Sequence, residues 1–239
     1  MKNVLFFLFI SSFGLTSSAK DLEAKIILSQ TETARFLSLA QHQNWPTEQM
    51  QIRFFDSPSL ALFKDGVVIR IRTRTNKAPE LTLKLRPFDE KDLPNSWIDR
   101  LPSDYELKCE FDAHLRKSTE SCSLSRELSA TELRQFEKSQ EAFSLLQTAE
   151  LEFLDLKTSI RSGVKLKTSF QARLWKLPKK MTAELWIFSD GSQVLEISKK
   201  VDSQKAVSAF EELIKWAKDY DLRLDPNPTN KTEKALNLR

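Results

Sequence analysis

The stretch VVIRIRTR, Val67 to Arg74, decides how this chain folds. As a β-strand it sends Val68, Arg70, Arg72 and Arg74 to one face and Val67, Ile69, Ile71 and Thr73 to the other. The same period of two recurs in DLEAKII (21–27), QIRFFDS (51–57), ELTLKLR (80–86), YELKCEF (105–111), KTSFQARLW (167–175), TAELWIF (182–188) and QVLEISKK (193–200). Eight such segments predict an α+β protein that is mainly antiparallel β.

Helical spacing marks three further stretches. TETARFLSLAQH (31–42) has Thr31 as a candidate cap, and SATELRQFEKSQEAFSLLQ (129–147) opens with Ser129 and Glu132 in capping-box register. DSQKAVSAFEELIKWAKDY (202–220) puts Val207, Phe210, Ile214 and Ala217 on one stripe. Turn signals stand at 64–66 (KDG), 75–80 (TNKAPE) and 189–192 (SDGS), and the Pro-containing tail from Asp225 reads as a loop ending in a short helical turn.

Residues 1–19 have a Lys2 start, an apolar run and small residues at the end, the anatomy of a cleavable secretory leader. They predict an exported protein, periplasmic or secreted, with one domain over 20–239 and no membrane attachment after cleavage. In such a compartment Cys109 and Cys122 either pair across a hairpin or remain two buried thiols.

The polar faces carry the functional question. Thr82, Lys84 and Arg86 share a face, as do Glu106, Lys108 and Glu110, and Asp21, Glu23 and Lys25; Arg173, Glu184 and Glu196 stand singly on their strands. Alternation of this kind is ordinarily the wet side of a one-sided sheet. Here the helices claim the apolar side, so the charged side faces either water or the inside of a barrel. Arg70, Arg72, Lys84, Arg86 and Arg173 gathered in a lumen repel one another unless an anion with several oxygens completes them. Arginine suits phosphate because its planar fork donates two parallel hydrogen bonds. The acids then form a second set that suits a hard divalent ion, Mg²⁺ or Mn²⁺.

Other chemistries find little support. His42 and His114 have no nucleophile partner in view, and four glycines in 239 residues leave no room for a Gly-rich phosphate loop. The net charge of +4 is mild, and acids interleave with the basic strands, which argues against nucleic acid as partner. Trp97, Trp175, Trp186 and Trp216 read as packing residues, although Trp186 and Phe188 share a face with Glu184 and could flank a base.

Taken in order, these motifs resemble the CYTH superfamily, the triphosphate tunnel metalloenzymes. DLEAKI is similar to its opening Glu-x-Glu-x-Lys signature, FFDSPSLALFKDGVVIRIRTR to its Phe-Asp-Thr-Pro and Arg-x-Arg block, and LTLKLR to its Lys-x-Arg strand. LEISKK resembles its late Glu-x-Glu strand, and Lys231 in NKTEKAL its C-terminal lysine. The resemblance spans most of 20–239. It implies an eight-stranded closed antiparallel tunnel, covered by about three amphipathic helices, that takes a triphosphate or polyphosphate. Arg70, Arg72, Lys84, Arg86, Arg173 and Lys231 would hold phosphate; Glu23, either Glu110 or Glu106, Glu184 and Glu196 would hold metal; Lys25 and Glu23 would stand at the reacting phosphate. Asp21 and Ser198 depart from the pattern, each replacing a usual glutamate. Three functions follow: a metal-dependent triphosphatase, a non-catalytic phosphate-binding module of the same fold, and a nucleotide cyclase.

Overall fold

The computed structural model describes residues 21–115, 117–139 and 141–237; the leader predicted over 1–19 lies outside them. Among the described residues there are nine strands: β1 Asp21–Leu28, β2 Thr47–Asp56, β3 Val67–Arg74, β4 Glu80–Leu85, β5 Tyr105–His114, β6 Lys117–Glu127, β7 Lys165–Leu177, β8 Met181–Ile187 and β9 Gln193–Asp202. They close into one barrel in the order β1-β5-β6-β4-β3-β2-β7-β8-β9. The eight-strand expectation is therefore short by β6, whose KSTESCSLSRE sequence is rich in serine and so hides its period from a hydrophobicity reading. The closing pair, β1 with β5, is parallel, and every other pair is antiparallel.

Seven α-helices accompany the strands among the described residues: α1 Thr33–His42, α2 Ala61–Lys64, α3 Asn95–Ile98, α4 Ala130–Lys138, α5 Thr148–Asp155, α6 Ala206–Asp219 and α7 Lys231–Asn237. None of them is long and apolar enough to cross a membrane. The capping box at Ser129 and Glu132 forms as its spacing predicts. Thr31 does not cap α1; its hydroxyl meets that of Ser29 within a preceding 3-10 turn. The stripe of α6 is Phe210, Leu213, Trp216 and Ala217, rotated from the predicted one, and Val207 is exposed. The tail forms a full helix, α7, because its Ala235 and Leu236 find an apolar surface to cover.

Both faces of the barrel wall are packed. On the outside, Val67, Ile69, Ile71, Leu81, Leu83 and Leu124 meet Trp97, Phe136 and Phe153 from α3, α4 and α5. Farther round, Ala24, Ile26, Ala183, Leu185 and Ile197 meet Phe36 of α1 and Leu213 and Trp216 of α6. Those odd and even positions being spent on helices, their alternates are forced into the lumen. A third cluster lies there: Ile52, Phe54, Phe170, Ala172, Trp186 and Phe188, covered by Ala235 and Leu236. The lumen thus has an apolar sector on β2, β7 and Trp186 of β8, and a polar, largely charged sector on the other strands that also takes in Glu184 of β8.

Cys109 and Cys122 are directly opposed on β5 and β6 and form a disulfide. Its sulfurs belong to the outer packing cluster, behind the charged wall. A bridge closing a loop of this length stabilises by about 3 kcal/mol. Unreduced protein should show no free thiol, and a Cys109→Ser, Cys122→Ser variant should lose about 2–3 kcal/mol in urea unfolding.

Candidate functional site

The lumen holds a cavity of about 1390 Å³, lined from every strand but most densely from β3, β5 and β6. Its basic wall begins on β3, where Arg70, Arg72 and Arg74 follow one another as the strand period requires. Thr82 and Lys84 of β4 stand across from Arg70 and Val68 in the ladder. Arg86, just past β4, is fixed by Gly66: the Arg86 amide donates to the Gly66 carbonyl at 2.8 Å. A Cβ at position 66 would lie 1.9 Å from the Arg86 carbonyl oxygen, so only glycine fits.

These guanidinium groups are not equally satisfied. Arg72 is held by Glu80, which also accepts from Thr82. By contrast the Nε atoms of Arg70, Arg74 and Arg86 are buried without a hydrogen-bond partner. Burial, with Arg72 alongside, lowers the Arg70 pKa to about 9. The group stays charged at neutral pH, in surroundings that an added anion would improve.

Facing this wall are the acids. Glu23, Glu110 and Asp112 bring carboxylate oxygens within 4.8 Å of one another. Lysines interleave them. Lys25 Nζ lies 2.6 Å from Asp112 and 3.0 Å from Glu23, and Lys84 lies 2.5 Å from Asp112 and 3.5 Å from Glu110. Lys108 stands 3.0 Å from Glu110 and Lys200 3.6 Å from it. Burial opposes the charge on Glu23, but Lys25 and Lys200 outweigh it and hold the carboxyl at about 2. Asp112 is driven the same way, well below the usual range, by Lys25 and Lys84. Lys25 in turn, despite burial, is held well above its usual value by Glu196, Asp112 and Glu23. It is an ammonium, not a base.

A second acidic pair, Glu184 and Glu196, lies directly opposed on β8 and β9. Lys231 from α7 bonds to Glu184 and lies 2.9 Å from Glu196, with its Nζ 4.7 Å from the Trp186 ring centre. Burial would raise Glu184, but Lys231 brings it to about 2.

Of the residues predicted for phosphate, Arg70, Arg72, Lys84 and Arg86 converge in the cavity. Arg173 does not. It is exposed on the outer face of β7 against Trp175, and its neighbour Leu174 faces the lumen instead. Alternation sets which residues share a face but not which face is inner, and β7 turns its apolar set Phe170, Ala172 and Leu174 inward. Lys231 is inside but is engaged by acids. Of the predicted metal set, Glu23 and Glu110 belong to the carboxylate trio, Glu184 and Glu196 are taken by Lys231, and Glu106 is exposed at the cavity edge. Ser198, in place of a carboxylate, donates to Glu23 at 3.0 Å. Trp186 is fully buried under α7 and does not flank the open cavity. His114 lies within β5 and lines the cavity.

Sequence reasoning missed Asp112. Its signal was present, since the period of Glu106, Lys108 and Glu110 continues to it, but the apolar run after Phe111 breaks off and the strand read as ended.

This geometry, a closed barrel with a cationic wall facing buried carboxylates, has counterparts among solved structures. A candidate adenylyl cyclase from Hippeastrum, reported with a dominant triphosphatase activity, superimposes with a TM-score of 0.60 at 14% identity, over 89% of this chain and 93% of that one. A candidate adenylate cyclase from Bacillus halodurans gives 0.61 at 15% identity, over 90% and 96%. The chain has the CYTH-type tunnel fold. No family model and no curated protein matches its sequence.

Replacing Lys231 by Met should leave two buried carboxylates opposed without a counter-charge, which costs about 3 kcal/mol or more. Because the folded-state pKa of Glu184 is depressed, its stabilising contribution is present above the unfolded value of 4.5 and is lost as pH falls toward 2. The stability gap between wild type and variant in urea unfolding should therefore be widest near neutrality and shrink on acidification.

Proposed function

We propose that this protein grips the phosphate chain of a triphosphate or polyphosphate in its tunnel and hydrolyses a phosphoanhydride bond with the help of Mg²⁺ or Mn²⁺. The observation that carries the reading is the set of buried Nε donors on Arg70, Arg74 and Arg86, aligned along one wall without partners. Buried donors left open in this way are costly by themselves and complementary to a chain of phosphate oxygens. The Hippeastrum neighbour's triphosphatase activity supports the same reaction. On the leader reading of residues 1–19, the protein acts after export.

The carboxylate trio fits a hard divalent ion. Its donors are all oxygens, and Oε2 of Glu110 is buried and accepts no hydrogen bond, although Lys108 stands 3.0 Å away. Glu23, Glu110 and Asp112 would hold the ion, which would supply charge neutralisation and an activated water. The chain's own groups do the rest. The arginines align the phosphates and take up charge on the departing oxygen, and Lys25 offers a fixed ammonium to the attacked phosphoryl group. Water oxygen bonds to the terminal phosphorus, the bridging P–O bond breaks with its electrons on the leaving phosphate, and the water proton passes to solvent.

A second reading is a binding module. It is favoured by Ser198, which removes a carboxylate, and by Lys231, which occupies Glu184 and Glu196. The two readings separate in one assay. With inorganic triphosphate and Mn²⁺ or Mg²⁺, a hydrolase releases orthophosphate, and Arg70→Ala should lower kcat/KM by about 100-fold. A binding module shows a raised Tm with no substrate consumed. Neither release nor a Tm shift removes both, and cyclic AMP formed from ATP would replace hydrolysis with cyclisation.

A further inference from the structure

The three carboxylates that would take a cation are already serving ammonium groups. Asp112 accepts from Lys25 at 2.6 Å and Lys84 at 2.5 Å, with Ser121 at 3.3 Å. The same two lysines reach sideways, Lys25 to Glu23 and Lys84 to Glu110. Each of these side chains is largely buried, at 12% and 13% exposure for the lysines and 9% for Asp112. A divalent ion arriving alone must therefore break the ion pairs of both ammonium groups without offering them new partners, leaving them close to it as like charges. A phosphate chain lying on Arg70 and Arg86 changes this, because its oxygens offer Lys25 and Lys84 a new partner across the same cavity.

We propose that Lys25 and Lys84 form an internal lock on the cation site, with Asp112 as its pivot, and that an oxyanion in the tunnel opens the lock. The inference rests on the phosphate-and-metal reading above and adds its order of assembly. Cation and anion bind with positive coupling, and by linkage each tightens the other by the same factor. Asp112 is the positioning residue of this device: it holds both lysines on the carboxylate side until an anion draws them away. The distribution of charge makes the lock specific. Glu184 and Glu196 are both paired with Lys231 of α7, whereas Lys84 comes from β4, next to the arginine strand β3, and Lys25 from β1, between Asp112 and Glu23.

The test measures Mn²⁺ binding to the full chain by electron paramagnetic resonance of the free ion, with sulfate as the probe anion. Sulfate is a tetrahedral dianion that complexes Mn²⁺ weakly itself, so any coupling belongs to the protein. Saturating sulfate should tighten Mn²⁺ binding to wild type by about tenfold, within the usual range for coupled sites. Without any anion, Lys84→Met should already bind Mn²⁺ about tenfold tighter than wild type, and sulfate should then add less than about twofold. Lys25→Met is the second variant and should behave alike. Unchanged Mn²⁺ affinity of wild type in sulfate overturns the lock, whatever the variants do, as does equal or weaker Mn²⁺ binding in a folded lysine variant. Coupling without triphosphate hydrolysis would leave the lock standing and remove the hydrolase reading; hydrolysis without coupling would do the reverse.

Discussion

Half-buried guanidinium groups whose inner Nε atoms find no partner in the chain are the constraint around which this molecule is arranged. Arg70 and Arg86 sit inside a closed wall, and Arg72 is the one on that wall held by a carboxylate, Glu80. A fold can keep such groups only if burial elsewhere outweighs them, and here the outer surface of the barrel does so with two large apolar clusters under the helices. The barrel is thus inverted relative to a water-soluble sheet with one wet face: its apolar side is covered by helices, and its polar side is enclosed.

Enclosure has a second consequence. Charges in a low-dielectric cavity interact over longer distances and more strongly than at a surface, so lysines and carboxylates there pair tightly even without a ligand. Lys25, Lys84 and Lys231 each bridge two acids, and the depressed carboxyls of Glu23 and Glu184 follow from those pairs. The tunnel is therefore poised between an internally neutralised state and a ligand-bound one. Which groups trade partners on binding is a matter of geometry: Lys231 sits against the Trp186 ring and between Glu184 and Glu196, while Lys84 lies on β4, paired to the arginine strand β3.

The division of the lumen into charged and apolar sectors narrows what it can hold. Met50, Leu174 and Ile27 border the cavity beside the basic wall, and the fully packed Phe54, Phe170 and Trp186 lie behind them under α7. An anion is best placed along β3 and β4, where the donors of Arg70, Arg74 and Arg86 stand without carboxylate partners. The cavity is also far larger than a bare phosphate chain needs, which leaves room beside the apolar border.

The sequence by itself determined which residues travel together. Period-two alternation tied Arg70 to Arg72 and Arg74, and Lys84 to Arg86, because a strand permits no other arrangement, and the amphipathic helices made the opposite face the packed one. It also made the cysteine pair a candidate bridge. Only the tertiary structure decided which face of β7 is inner, so Arg173 could be misplaced; the alternation of KTSFQARLW is equally consistent with either choice until β2 and β8 flank it. Likewise the ninth strand, the role of Asp112 and the capture of Glu184 and Glu196 by Lys231 depend on register between distant segments. Register is set by the sum of cross-strand packing over the whole barrel, and no local stretch of sequence carries that sum.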